Sequence, residues 1–458
     1  MIAVVVSRAD SASEHIGEQL RAVADWERHS DGNRPDGEGG GTYYRREGFE
    51  LRTFDDLHLH LERPAAAFET DPNLLVFVSR HAGETGPLLT AHFTGNFGGA
   101  DYGGDPGAFA RACPNAHARV VEQLTECAPD GYEVGIECTH HGPTDVGAPS
   151  MFVEIGSGPE QWDDPAAAGA AARAVLNIEG VAPDRPADGG NGGAPNRQVV
   201  GFGGGHYAPR FERIVRETPW AVGHVGADWA LEGMGDPREH RDRIDRAFRE
   251  SAAEYAVVEG DRPRLEATVE DLGYRAVSET WVREVGTASL ALVGALEDAL
   301  VPVDDGLRFG DPLPGTDPGD DPGEAFETVD LPDGLLERAA SIDAGATREA
   351  VAARTLAFGT VEGGSRVAGR AAVAEASDRE ALVDALASLL AREYDAVTRE
   401  DGAVVARRTA FDPERARDLG VPEGPAFGDL AAGQPVEVDG REIDPAAVRT
   451  ERVDRFEV

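Results

Sequence analysis

Runs of consecutive apolar residues, each closed by a small polar cluster, recur through the first half of the chain. Leu74–Val78, reading Leu-Leu-Val-Phe-Val, is the clearest of them. Apolar residues without interruption suit a strand covered on both faces, as in a largely parallel sheet. Ile2–Val6, Leu88–Phe93, Glu133–Glu137, Ser150–Ile155, Val199–Phe202 and Trp220–His224 predict further strands on the same grounds. Helix-compatible spacing lies between them, over Ser11–Trp26, Pro106–Cys127 and Pro165–Ile178. The first of these opens on Ser-Ala-Ser-Glu, which resembles a capping box, and the third follows Asp163-Asp164 with proline at its first position. Strands alternating with helices predict a three-layer α/β/α domain.

Helices are also predicted over Arg238–Glu254, Thr287–Leu300 and Asp378–Tyr394. Two stretches break the alternation: His29–Gly41, rich in Gly, Asp and Asn, reads as a loop insertion whose removal should matter little, and Ala182–Asn196 reads as a second loop. Asp311–Asp321 is a run of Pro, Gly and Asp with the composition of a self-repelling spacer. With 458 residues the chain exceeds one ordinary domain. The expected division is a domain over 1–300, an acidic Pro/Gly linker over 301–323, and an α+β accessory domain over 324–458.

Charge adds a setting. The net charge is −41 and every cation is arginine, since the chain has no lysine. This resembles a cytoplasmic protein of a salt-loaded halophile with a GC-rich genome. At molar salt the Debye length falls to roughly 3 Å, so the acidity does not exclude an RNA partner. The three cysteines form no C-x-x-C pair and fit a reducing cytoplasm. Ile2–Val6 is too short for a signal sequence, and no run is long enough to span a membrane.

Chemistry concentrates where the apolar runs end. All twelve histidines lie at or before His240. Glu137-Cys138-Thr139-His140-His141-Gly142-Pro143 places a carboxylate, a thiol and two imidazoles after one strand, and a turn at Gly142-Pro143 is needed for both rings to face one cleft. Imidazole and carboxylate are the usual ligands of catalytic zinc; the alternative is one surface and one buried histidine. Gly203-Gly204-Gly205-His206 allows close backbone approach or amides turned to an anion, or is a tight turn with a chance histidine. Asn96, near His92, could stabilise an oxyanion, and Arg80, after Ser79 and before His81, could hold a phosphate. Glu154, a carboxylate inside an apolar strand, faces either the site or an arginine. Cys138 reads as a small buried hydrophobe.

The order Ser79-Arg80-His81, His92-Phe93-Thr94-Gly95-Asn96, Glu137 to Thr144, Phe152 to Ser157 and Gly201 to Pro209 resembles the archaeal and plant type of D-aminoacyl-tRNA deacylase over residues 1 to about 300. That resemblance implies hydrolysis of the ester between a D-amino acid and the terminal adenosine of tRNA, with zinc as cofactor and a fold akin to phosphorylases and peptidyl-tRNA hydrolases. It further implies zinc on His140, His141 and His206, with His92 or Glu137 as possible further ligands. Catalytic roles are expected at His92, Asn96, Glu137 and His206. Substrate contacts are expected at Ser79, Arg80, His81, Gly203, Gly204, Gly205 and Tyr207, with Tyr207 stacking on the adenine. The expected partner is the acceptor end of D-aminoacyl-tRNA, met by a monomer and not at a membrane. A metal-free hydrolase, a peptidyl-tRNA hydrolase-like or nucleoside phosphorylase-like enzyme and a non-catalytic tRNA-binding protein stay open as alternatives.

Overall fold

The apolar runs become the centre of a twisted sheet in the structure, a computed structural model that describes residues 1–186, 196–319, 321–400 and 402–458. Residues 187–195 of the predicted Ala182–Asn196 loop therefore lie outside the described residues. The chain divides into two compact units, Met1–Thr287 and Ala288–Val458.

In the first unit the strands of the large sheet are β1 (Ile2–Ser7), β2 (Glu27–Asp31), β3 (Gly41–Arg46), β4 (Phe49–Phe54), β5 (Leu74–Arg80), β6 (Leu88–His92), β7 (Glu133–Ile136) and β8 (Ser150–Gly156). Their spatial order is β2-β3-β4-β1-β5-β8-β6-β7. From β4 through β8 the neighbours run parallel, which explains the uninterrupted apolar character of β1 and β5. β6 then runs antiparallel to β8 and parallel to β7. Ala3, Val5, Leu75, Phe77 and Phe152 pack into one buried cluster. Helices Ser11–Val23 and Pro165–Leu176 pack against the sheet and each other, and Gly17 lets the first approach so closely that an added Cβ would meet Val6 Cγ2 at 2.9 Å.

A second, all-parallel sheet completes this unit. It consists of β9 (Gln198–Phe202), β10 (Ala221–Gly226), β11 (Tyr255–Val258) and β12 (Arg275–Val277) in the order β10-β9-β11-β12. Helices Asp228–Met234, Arg241–Ser251 and Pro263–Asp271 contribute Leu231, Met234, Phe248 and Leu265 to a core shared with Val200 and Phe202. No helix among the described residues is long and apolar enough to cross a membrane.

Several local expectations change. The first helix is capped by Asp10, whose carboxylate accepts from the Ala12 and Ser13 amides, rather than by the Ser11 capping box. The second predicted helix begins at Pro114, not Pro106. His29–Asp31 belongs to β2, so the loop is shorter than His29–Gly41, and it has a structural task. The buried Arg52 guanidinium donates Nε to Glu50 Oε1 at 2.6 Å, and Nη1 to Asp31 Oδ2 at 2.9 Å and Gly39 O at 2.8 Å. Deleting residues 32–40 should therefore destabilise the first unit by about 1–3 kcal/mol, because a buried charged donor loses an acceptor. Urea unfolding in concentrated KCl reads this, and an unchanged midpoint would refute the assignment.

The second unit is antiparallel and mixed with helices. One sheet has the order β13 (Leu307–Phe309), β15 (Ala357–Val361), β16 (Arg366–Val373), β14 (Glu327–Asp330); another joins β17 (Ala396–Glu400), β18 (Ala403–Phe411) and β21 (Arg449–Glu457). A hairpin pairs β19 (Val436–Val438) with β20 (Arg441–Ile443). Helices Asp333–Ile342 and Ala376–Leu390 bury Leu335, Leu336, Leu382, Leu386 and Leu390 against Phe358 and Val404. The stretch 301–323 is more than a spacer: it supplies β13, and Leu313 within it is buried.

Candidate active site

The reversal of β6 shapes the site. Strand register places Ser79 of β5 and Thr90 of β6 on either side of Glu154 in β8, and Phe152 next to both Phe77 and His92. Two rows of side chains thus share one face of the sheet. The Phe77, Phe152 and His92 rings stack in sequence, with centroids 4.6 Å and 5.1 Å apart, and form an apolar floor. Ser79 Oγ donates to Glu154 Oε1 at 2.5 Å beside it. The histidines therefore converge on the middle of β8 from two directions, and not only at the carboxyl ends of parallel strands.

His140 and His141 reach this face because the chain turns sharply after β7. His141 has φ +44°, a left-handed conformation that non-glycine residues rarely adopt. The turn brings the two rings to 4.4 Å and places them 4.3 Å and 4.9 Å from the His92 ring. Each ring is oriented by a backbone carbonyl at Nδ1: Phe93 O at 3.1 Å for His92, Cys138 O at 2.8 Å for His140 and Gly142 O at 2.6 Å for His141. A proton on Nδ1 leaves Nε2 as the lone-pair nitrogen, the arrangement typical of metal-ligating histidine. One ring nitrogen from each of the three lies within 4.8 Å of the others, and His92 Nε2 is buried without a hydrogen-bond partner.

Two other groups are close enough to hold an ion, Cys138 with His140 and His206, and His81 with Glu137 and Glu154. Their chemistry suits an ion less well. Burial pushes the Cys138 thiol up to about 12, which disfavours thiolate. His81 lies between two buried carboxylates, its Nδ1 3.3 Å from Glu137 Oε1 and 3.7 Å from Glu154 Oε2. Burial alone would lower its pKa, but these two anions outweigh it and raise it to about 11, which favours the imidazolium. Histidine contacts overcome burial at the carboxylates: His206 and His81 hold Glu137 well below the usual range, and His81 and His92 hold Glu154 at about 2. Burial and the neighbouring histidines keep His140 and His141 neutral, with His141 pushed down to about 4. His92 is buried too, yet Glu154 Oε1 at 3.6 Å raises its pKa. A metal ion on its Nε2 would displace that proton.

His140, His141 and His206 do not converge on one point, which changes the expected ligand set. His206 Nε2 lies 2.8 Å from Glu137 Oε2, and its Nδ1 3.6 Å from Cys138 Sγ. His92, expected as a catalytic group or an optional ligand, stands beside His140 and His141 with a ring nitrogen within 4.8 Å of theirs. Two further roles are corrected. Asn96 Nδ2 donates to Gly103 O at 3.0 Å and Asp105 O at 3.3 Å, so its amide protons fix a loop and are not free for an oxyanion. The Gly203 amide donates to Gly226 O and the Gly204 amide to Asp228 Oδ1, both within 2.8 Å, and neither glycine nor Gly205 lines the cavity.

The cavity above the histidines has a volume of about 620 Å³, within the range of small-molecule sites. Ser79, Arg80, His81, Asn96, His140, His141, Glu154 and His206 line it. The Arg80 guanidinium lies 5.2 Å over the Trp162 ring. Tyr207 stands outside the lining, its hydroxyl 3.2 Å from His81 Nε2. Sequence reasoning missed Asp10, His58, Tyr102 and Trp229, all of which line the cavity. Asp10 is masked as a helix cap, His58 and Tyr102 follow no apolar run, and Trp229 lies past the strand predicted at Trp220–His224 rather than at its end.

Comparison with known proteins gives this geometry a family. The family model described as D-aminoacyl-tRNA deacylase matches residues 68–277, the span that holds His81, His92, Glu137, His140, His141, Glu154 and His206. A D-aminoacyl-tRNA deacylase of Halorubrum lacusprofundi is 56% identical, covering 100% of this chain and 97% of that protein. Another, of Natronomonas pharaonis, is 55% identical with 100% of both chains covered. A crystal structure of a conserved protein of unknown function is 28% identical with a TM-score of 0.53, covering 62% of this chain and 96% of that one. The halophilic relatives match through the second unit as well, beyond the 300 residues in which the motifs lie. This chain belongs to the D-aminoacyl-tRNA deacylase family, in its halophilic archaeal form.

Proposed function

We propose that this protein hydrolyses the ester joining a D-amino acid to the 3′-terminal adenosine of tRNA, releasing the free D-amino acid and tRNA and keeping D-residues out of translation. The observation that carries this reading is full-length similarity to D-aminoacyl-tRNA deacylases at 53% identity or more. The reading extends to a phosphorylase/peptidyl-tRNA hydrolase-like first domain, an accessory second domain, and a monomer acting in the cytoplasm.

His92, His140 and His141 would hold zinc. Three imidazole nitrogens are a donor set of catalytic rather than structural zinc, and the buried His92 Nε2, without a hydrogen-bond partner, fits it. Bound there, zinc supplies Lewis-acid polarisation of the ester carbonyl and a water of lowered pKa.

The chain's own groups orient the reaction. The carbonyls of Phe93, Cys138 and Gly142 fix the three rings through Nδ1, and Glu154, itself held by Ser79, balances charge beside His92. Glu137 accepts at Oε2 from His206 Nε2–H, holding a proton at the cavity wall. The ribose oxygen needs such a proton as the ester C–O bond breaks. With the Gly203 and Gly204 amides engaged elsewhere, chirality is read by the cavity walls.

Deacylation of D- and L-tyrosyl-tRNA in concentrated KCl tests the reading. The D form should be hydrolysed at least about 100-fold faster, a ratio within reach of steric discrimination. Equal rates, or no hydrolysis of either, would overturn it.

A further inference from the structure

Three aromatic side chains are exposed among the described residues, Tyr102 at 72%, Trp229 at 52% and Tyr207 at 36%, and all three surround the histidine cavity. Trp220 and Trp281 are by contrast fully buried. An exposed indole leaves a large apolar surface in water, and such surface concentrated at one cleft marks a binding site. Tyr207 is already engaged, with its hydroxyl on His81 and its ring edge-on to His206 at 5.0 Å. Tyr102 and Trp229 line the cavity and are the two most exposed aromatic side chains among the described residues, Trp229 also reaching the Cys138 thiol.

We infer that Tyr102 and Trp229 form an aromatic clamp for the adenine of the terminal nucleoside, in place of the stacking expected of Tyr207. The inference rests on the proposed ester substrate. Once the ester carbonyl lies over His92, His140 and His141, the attached nucleoside must extend outward, and its base is the one large planar group that can meet rings at the rim. Every base offers a π face, so stacking holds a common terminal nucleoside without reading the rest of the RNA.

Charge favours the same assignment. Binding that depends on phosphate contacts weakens steeply with salt, and the net charge of −41 opposes approach of a polyanion. Stacking is far less sensitive to salt.

The Tyr102 arm is also built to hold position. Tyr102 O accepts from the Gly142 amide at 3.0 Å, and Gly103 O accepts from Asn96. A Cβ at Gly142 would meet Gly104 N at 2.4 Å, so the loop is seated directly on the turn that carries His140 and His141. Asn96 is thereby a positioning residue for Tyr102.

The test compares Trp229→Ala, Tyr102→Ala and Trp229→Phe in the full chain at high KCl. Each alanine variant should raise KM for D-tyrosyl-tRNA by about 5- to 100-fold with kcat changed less than about 3-fold, and Trp229→Phe should restore most of the loss. The same rise is expected with D-alanyl-tRNA. A rise confined to the tyrosyl substrate would place the rings on the amino-acid side chain and overturn the clamp, as would a fall in kcat with KM unchanged. Adenosine alone should quench tryptophan fluorescence in the wild type and not in Trp229→Phe. That readout needs no turnover, so absent deacylation with intact quenching would sink the substrate reading and keep the clamp. No Trp229-dependent quenching would sink the clamp.

Discussion

Alanine at any one of His92, His140 and His141 should lower kcat/KM for D-tyrosyl-tRNA by about 1,000-fold, with zinc falling from about one ion per chain to a small fraction. The size follows from losing several kcal/mol of carbonyl and water activation when a three-nitrogen site loses a ligand. The three are equivalent in this respect because each has Nδ1 tied to a carbonyl and a nitrogen within 4.8 Å of the other two. His206→Ala separates this site from its neighbour. It should keep zinc and lose activity by a smaller factor, about 100-fold, as expected for a proton-holding group. Metal loss in His206→Ala with metal kept in His92→Ala would instead assign the ion to Cys138, His140 and His206. Full hydrolysis by zinc-free protein would end the metal reading altogether. Metal content is measured on the purified protein, so a variant that fails for another reason is recognised.

The sequence made the inner strands and the histidine clusters legible, because both write themselves as local runs. β1, β5, β6, β8 and β9 are apolar almost throughout and were read to within a residue or two. β2 and β3 escape the pattern because they form the polar side of the sheet, where Glu27, Arg28, Arg45 and Arg46 interrupt any apolar run. β11 and β12 have only four and three residues, too few for a periodic signal. The grouping of imidazoles was beyond any local pattern. It depends on β6 running against β8, which sets His92 beside Phe152, and on the left-handed backbone at His141. Nothing in the Gly203–Gly205 segment indicates that Gly226 and Asp228 take two of its amides. Tyr102 and Trp229 sit among Gly, Asp and Ala, where one exposed aromatic looks like any other.

The first unit should lose stability steeply as pH falls from 6.5 towards 4, with a slope approaching about 4 kcal/mol per pH unit if three histidines outside the zinc group each take up one proton on unfolding. These are His58, His117 and His224, which burial pushes down to about 4, about 4 and about 3. His58 has Asp10 Oδ2 3.9 Å from Nδ1, a contact that burial outweighs, and the native fold gives the second proton of His117 and His224 no charged acceptor. His117 donates Nε2–H to Ala91 O at 3.0 Å and buries Nδ1 without a partner. His224 donates Nε2–H to Ala110 O at 2.9 Å, and its Nδ1 faces the Thr139 hydroxyl at 3.0 Å. In all three the folded pKa lies below the unfolded one. Their neutral forms therefore contribute stability fully above pH 6.5, and it is lost as pH falls through the folded values. Glu154, also depressed, adds the same sign only below about 4.5. His81, raised to about 11, stays protonated in the folded chain throughout and opposes the slope only near 6.5, where the unfolded ring is still half-neutral. The five tryptophans lie at or before Trp281, and the histidines at or before His240, so indole fluorescence follows the unit that titrates. Urea unfolding at stepped pH in concentrated KCl should show the fall, and His117→Phe should reduce the slope by about one proton. A midpoint that stays level between pH 7 and 4.5 would mean that these histidines titrate alike in the folded and unfolded chain.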